Sequence, residues 1–343
     1  MGMTIKDIAK MCNVGISTVS RAINNDPGIN PETRMRILKV IEEQNFVPNS
    51  SARNLKMTES NTIALLIKGT NNPFFQGMLR TFEQELQKVE YSYLIYPISE
   101  NQDETMVAIE LVKERRLKGI IFLGGLAEVS ENNLDSIGVP CVRCTVSNPK
   151  VSIGQRDYTV SIDDKKEAYR AVDYLCKCGH KNIAILGGRK LDGSIGRMRL
   201  EGYWQALKDN GIEYNPNLVA YMKENVGEFT VENGYLTAKE LLDSEQNITA
   251  IFVISDMMAF GAYKAIKEKG LRIPDDISVV GFDGLDWTNF YHPSLTTVRQ
   301  PCDQMVKASI DVLLGAINDG NYGEQRIFPA ELLIRDSVKD LNS

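Results

Sequence analysis

Ser17, Thr18, Ser20 and Arg21 lie within ten residues, GISTVSRAIN, that read as one short polar helix. Three small hydroxyl residues and one arginine leave a thin, donor-rich face. A backbone so decorated can sit deep in a major groove, and arginine can give two parallel hydrogen bonds to guanine O6 and N7. A plain three-helix bundle with a solvated arginine would share this local pattern.

No catalytic set competes with that reading. Of the two histidines, His180 follows Gly179 before an apolar run and reads as a helix C-cap favourable with the helix dipole; His292 lies in a Tyr-His-Pro turn. There is no Gly-x-Ser-x-Gly elbow. Gly188 to Gly193 has phosphate-loop spacing, but Ser194 stands where the lysine belongs. The six cysteines include Cys141-x-x-Cys144 and Cys176-x-Cys178, which could suggest zinc or redox chemistry. Neither is followed by a second pair at zinc-ribbon spacing, so they read as reduced structural residues. The expectation is no enzyme, no metal and no cofactor.

The elements that hold the arginine are three helices. Thr4 and Asp7 resemble a capping box before the stripe Ile5, Ile8, Ala9 and Cys12. Asn13-Val14-Gly15 turns the chain, and Val19, Ala22 and Ile23 face the second helix inward. After the breakers at 24–28, Asn30 caps a third helix with Pro31 at its first position, and Ile37, Leu38 and Ile41 form its inner face. Two helices about a glycine turn with a third packed across form a helix-turn-helix outline. Residues 48–57, PNSSARNLKM, are polar and basic. They read as a linker that orders only on a surface, because isolated helices of this length are marginal.

From Asn61 onward, apolar strand runs such as TIALLI, GIIFLGG, NIAILGG, AIFVIS and ISVVGFD alternate with amphipathic helices. This alternation predicts parallel sheets with helices on both faces, and about ten strands suit two doubly wound subdomains. Ligands bind beyond the carboxyl ends of strands in such sheets. The 343 residues carry a net charge of −6, yet residues 1–58 hold eight Lys+Arg against five Asp+Glu, leaving −9 on the rest. A basic head on an acidic body suggests that the head alone meets a polyanion. No eighteen-residue apolar run and no signal-peptide pattern is present, so the expectation is a cytoplasmic protein without a membrane partner.

TIKDIAKMCNVGISTVSRAINN, INPETRMRILKVIEEQNFVPNSSARNLK, GHKNIAILGG, RLEGYWQAL, SDMMAFGAYKAI, GLRIPDDISVVGFDG and PSLTTVRQP together resemble the lactose/galactose repressor (LacI/GalR) family, over nearly the whole chain and in the expected order. The resemblance implies an all-α helix-turn-helix head at 1–48, a hinge helix or linker at 49–60, and an effector-binding and dimerisation body at 61–343. The body would be of periplasmic-binding-protein type I. Its N-subdomain would comprise about 61–161 and 293–327, its C-subdomain about 162–292 and 328–343, with crossings near Ser161, Pro293 and Phe328.

The resemblance also implies a sequence-specific regulator, most often a repressor, of carbohydrate-metabolism genes. It would bind a pseudo-palindromic operator as a homodimer and be switched by a sugar-like small molecule; a relative that answers to a protein co-effector is the alternative. The implied DNA contacts are Thr4, Ile16, Ser17, Thr18, Ser20, Arg21, Asn24, Asn30, Arg53, Leu55 and Lys56. Ile16 and Ser17 would choose the half-site, Arg21 would read guanine, and Leu55 would wedge into the minor groove. The implied effector contacts are Phe74, Phe75, Thr145, Arg197, Arg199, Ser255, Asp283 and Gln300. Thr145 replaces an aspartate found in several sugar-responsive members.

Overall fold

The computed structural model describes residues 4–23, 26, 28–44, 61–89, 91–99, 102–125, 134–146, 157–190, 195–244, 246–320 and 323–342. They fall into two units, one within residues 1–60 and one from 61 to 343.

In the first unit, α1 (Ile5–Met11) opens with the Thr4 amide and hydroxyl both donating to the Asp7 carboxylate, at 2.9 and 2.6 Å. These donors hold Asp7 below the usual carboxylate range. Asn13 takes the left-handed conformation (φ 51°) that turns the chain into α2 (Ile16–Ile23). The Asn30 side chain accepts from the Glu32 and Thr33 amides and starts α3 (Pro31–Glu43). Ile8, Ala9, Cys12, Val19, Ala22 and Ile37 form the core, with Val40 and Ile41 packed against it. Leu38, expected on the inner face, is exposed instead. It lies about 100° round the helix from Ile37, so the stripe through 37, 40 and 41 excludes it.

The second unit begins with β1 (Thr62–Lys68), α4 (Pro73–Leu86), β2 (Ser92–Ile98), α5 (Glu104–Arg115), β3 (Gly119–Leu123), β4 (Cys141–Cys144) and β5 (Asp157–Ile162). It continues through α6 (Asp164–Lys177), β6 (Ile183–Gly187), α7 (Ile195–Asp209), β7 (Val219–Tyr221), α8 (Val231–Asp243), β8 (Ala250–Val253), α9 (Asp256–Glu268), β9 (Ser278–Asp283) and β10 (Thr296–Arg299). It closes with α10 (Cys302–Asp319), β11 (Gln325–Phe328) and β12 (Glu331–Leu333). The strands form two six-stranded sheets, ordered β11-β5-β4-β3-β1-β2 and β12-β10-β9-β8-β6-β7. All pairs run parallel except β10–β12. The central strands are buried on both faces, as parallel sheets require.

The chain passes between the sheets three times: after Ile162, at Gln300–Pro301 and at Pro329–Ala330. The second crossing corrects the expectation of one near Pro293. β10 pairs in parallel with β9 from Thr296↔Val280 to Arg299↔Asp283, so residues 296–299 belong to the second sheet, and the helix that follows packs on the first. Every crossing leaves the carboxyl end of a strand. The carboxyl ends of both sheets therefore adjoin the crossings and frame one cleft.

His180 also departs from expectation. Its ring lies 3.1 Å from both the Thr249 hydroxyl and the Lys339 carbonyl, and burial lowers its pKa. A neutral ring bridging two segments replaces the charge–dipole contact. The cysteines are free, no helix among the described residues is long and apolar enough to cross a membrane, and no His/Cys/Asp/Glu group among them is arranged to hold a metal.

Helices α8 and α9 approach backbone to backbone through Gly234 and Gly261. A Cβ on Gly261 would overlap the Val231 carbonyl oxygen and the Tyr235 nitrogen; one on Gly234 would overlap the Met258 backbone. Gly261→Ala is expected to cost about 3 kcal/mol or more, because backbone cannot yield as a side-chain tip can. An unchanged urea midpoint would show that the helices can separate freely.

Candidate functional site

Two places collect the residues singled out by sequence. On α2, Ile16, Ser17 and Arg21 are exposed, Thr18 and Ser20 are half-buried, and Val19 and Ala22 hold the helix to the core. Ser17 and Arg21 stand four residues apart, on one face. Arg21 touches Asp26 at 3.6 Å, with 64% of its side chain exposed. An ion pair so open is weak and readily exchanged for another acceptor. Thr4 and Asn30 are exposed caps at the starts of α1 and α3. Asn24, Arg53, Leu55 and Lys56 lie outside the described residues.

The second place is the cleft. Arg199, on α7, is 2% exposed and meets several polar partners. Its Nε donates to Asp164 Oδ1 at 2.8 Å and its Nη2 pairs with the same oxygen at 2.8 Å, while Nη1 donates to the Ile254 carbonyl at 2.5 Å and lies 3.9 Å from Asp283 Oδ1. The guanidinium stacks 3.7 Å from the Phe282 ring centroid. Asp283 ends β9 with φ 122°, a region that favours glycine, which is strain of the kind found at ligand clamps. Its Oδ1 accepts from Gln300 Nε2 at 3.0 Å, and its carbonyl accepts from the Gln300 amide. Gln300 is itself the second crossing, so this carboxylate is tied to a hinge segment.

Several buried polar atoms here have no hydrogen-bond partner among the described residues: Asp164 Oδ2, Asp283 Oδ2, Ser255 Oγ and Ser161 Oγ. All sit at carboxyl strand ends or in the first residues beyond them. Burial pushes the Asp283 carboxyl up to about 7, against the lowering effect of Arg199, and raises Asp164 as well. Buried polar atoms without a protein partner cost free energy that a hydrogen-bonding ligand can return.

From the first sheet, Phe75 lays its ring over Gly69 and Gly124, at the ends of β1 and β3. Phe74 makes an edge contact with it but is buried in the core. Thr145, with φ 77°, accepts the Gly124 amide at 3.2 Å just beyond β4. Arg197 is not part of the cluster: two residues from Arg199 on a helix is about 200° of rotation, and its exposed side chain meets Glu201.

Sequence reasoning did not single out Asp164, Phe282 or Phe229. Asp163 and Asp164 are adjacent; the first caps α6 through the Lys166 amide, and the second turns inward. Phe229 is a non-glycine residue at φ 53° in the loop after β7. That loop is pinned by the buried Asn233 side chain, which bonds Lys223, Val226 and Gly227 backbone atoms.

Asp283→Asn tests the buried-charge reading. With a raised carboxyl pKa, the folded state keeps a proton that the unfolded chain has lost between about pH 4 and 7. This group's contribution to stability is complete below pH 4 and falls as pH rises to 7. The amide is therefore expected to stabilise the chain at pH 8 by on the order of 2 kcal/mol, with the gain vanishing near pH 4. Urea titrations at the two pH values check it; an equal effect at both would contradict it.

A helix-turn-helix unit followed by a body of two parallel α/β sheets is the arrangement of a DNA-binding regulator. Residues 4–49 match the family model for bacterial regulatory proteins of the lacI family, and residues 172–338 match that for the periplasmic binding protein-like domain. The HTH-type transcriptional regulator MalR of Clostridium butyricum is 40% identical over 98% of this chain and 99% of its own. A solved complex of the transcriptional regulator CelR with cellobiose is 27% identical with a TM-score of 0.71, covering 98% of this chain and 99% of that one. The lac repressor dimer bound to operator and the anti-inducer ONPF shares the fold, with a TM-score of 0.80 at 24% identity, over 99% of this chain and 100% of that one. The chain belongs to the LacI family of bacterial regulatory proteins. It is a DNA-binding transcriptional regulator and not an enzyme.

Proposed function

We propose that this regulator is a cytoplasmic repressor of carbohydrate-metabolism genes that grips a pseudo-palindromic operator as a homodimer and changes its grip when a sugar or sugar derivative enters the cleft. The observation that carries this reading is the link between Asp283 and Gln300: a ligand that engages the carboxylate pulls on the segment joining the two subdomains. The neighbouring unpartnered acceptors suit a polyhydroxyl compound. The cellobiose held by the CelR relative is of that class.

Exposed Trp287, Phe290 and Tyr291, the last stacked on Phe260, together with the edge strand β2 and its exposed Ile95, support association of two copies. Two α2 helices one turn of DNA apart then read two half-sites, with Arg21 on guanine and Ile16 and Ser17 choosing neighbouring bases. Leu55, flanked by Arg53 and Lys56, is the proposed minor-groove wedge. By linkage, a ligand that weakens DNA binding is itself held more weakly by the DNA complex.

The test is selection of bound sequences from a random duplex pool by the full-length chain, followed by titration of the selected duplex with a sugar panel. Symmetric half-sites and a shift of about tenfold or more with one sugar are the expected result. Response to a protein co-effector alone would overturn the sugar reading.

A further inference from the structure

Any movement of one sheet of the body relative to the other must pass through the three crossings. On the first-sheet side, the first and third crossings leave next to each other: β5 and β11 run parallel and end on the rung Ile162↔Phe328. On the second-sheet side, the first crossing runs directly into α6 and the third into β12. Arg170 joins these two. It lies on α6, and its Nη1 donates at 3.1 Å to the carbonyl of Ala330, the residue before β12 begins. The same nitrogen donates to Glu167 Oε2 at 2.5 Å, three residues earlier on the same helix face. Glu167 is 3% exposed, so its carboxylate has little water to turn to and depends on this cation. The second and third crossings are tied as well. Arg299 stands opposite Glu331 where β10 pairs with β12, and their side chains form an ion pair. Gln300 is bonded to Asp283 at the end of β9.

We infer that Arg170, positioned by Glu167, is a strut that fixes the second-sheet side of the third crossing to α6, so that the subdomains pivot at residues 162–163 and 328–329 and not by bending within β12. β12 is three residues long, lies at the edge of its sheet and is paired on one side only, by β10. A strand so short frays unless its end is held. Arg170 holds that end from α6, which itself packs on β10. Helix, strand and crossing then move as one piece. Without the strut, a displacement of the first subdomain is spent in unpairing Glu331 from Arg299 and is not passed on to the second. Glu167 touches neither crossing and acts through Arg170, which it holds in place as a fixed, charged donor.

The experiment is amide hydrogen exchange on the full-length chain, read peptide by peptide and without any ligand. Arg170→Met alone strands the buried Glu167 carboxylate, so the deciding variant is Arg170→Met with Glu167→Gln, which removes strut and charge together. The expected result is exchange about tenfold faster at residues 330–333, the loss of one charge-assisted hydrogen bond, with the peptides of β3, β6 and β8 at native rates. Arg170→Lys keeps a cation on a long stem and is expected to stay within about threefold of native at 330–333. Native rates at 330–333 in the double variant would overturn the strut. So would a rise of equal size in β3, β6 and β8, which marks general loosening. Arg170→Lys exchanging as fast as the double variant would show that a cation at this position does not hold the crossing. The measurement needs no sugar, so a cleft that binds none leaves its outcome unchanged, and the two readings fail separately.

Discussion

Arg199→Met is expected to abolish effector binding and to cost the body about 3–5 kcal/mol of stability. The guanidinium is the shared partner of the whole cluster: Asp164, the Ile254 carbonyl, Asp283 and the Phe282 ring all converge on it. Methionine keeps the apolar stem and some contact with the ring, but leaves a buried carboxylate facing a carbonyl without a cation. Breaking a buried pair from one side carries that penalty because the remaining charge stays desolvated. Asp164 then holds its proton to still higher pH, so the deficit should be largest at pH 8 and shrink as pH falls. The double change Arg199→Met with Asp164→Asn should recover much of the stability and none of the binding. Urea midpoints and titration calorimetry on the four members of that cycle separate the structural part from the recognition part. If the single variant still bound the effector normally, the cluster would not be the site.

Arg21→Ala is expected to lower preference for the operator over random DNA by about 1–3 kcal/mol per half-site, and so by about twice that for a dimer. The fold of the head does not rest on Arg21, whose side chain is 64% exposed and touches Asp26 at 3.6 Å. The variant should therefore fold normally and bind random DNA almost as before, losing slope in salt by about one phosphate contact at most. Ser17→Ala on the same face should have a smaller effect, because a hydroxyl gives one hydrogen bond where arginine gives two. Competition gel shifts against random duplex report the ratio directly. An unchanged ratio would remove Arg21 from the reading face.

Much of the fold is legible in the order of the residues alone. The three helices of the head follow from a capping pair, a glycine turn, Asn30-Pro31 and an apolar stripe, each with a local physical cause. The alternation of apolar runs and amphipathic helices implies two parallel sheets, and the family resemblance implies Ser255 and Asp283, which the structure places at carboxyl strand ends. The start of α4 at Pro73 is marked by Asn72-Pro73, a cap and a first-turn proline.

Tertiary choices are not local and are less legible. Whether residues 293–299 join the first or second sheet depends on which strand they pair with, and Thr296–Arg299 is too short to announce β9 as its neighbour. Of two adjacent aspartates, either could cap α6, so sequence does not tell which turns inward. The choice between Arg197 and Arg199 opens to helical geometry once the helix is seen to reach back to Ile195. His180 shows the same limit: a charge–dipole argument holds only while the ring is charged, and burial among Thr249 and Lys339 decides that.

If one chain couples a DNA-reading helix to a ligand cleft, the affinity of the full-length protein for its selected duplex must depend on what the cleft holds. That affinity is measured at fixed moderate salt, with and without the sugar that titrates into the cleft. Coupling predicts tight, symmetric-site binding that shifts by about tenfold or more with the sugar in the native chain and does not shift in Arg199→Met. Binding to the selected duplex no stronger than to random DNA, or a sugar response that survives in Arg199→Met, would contradict it.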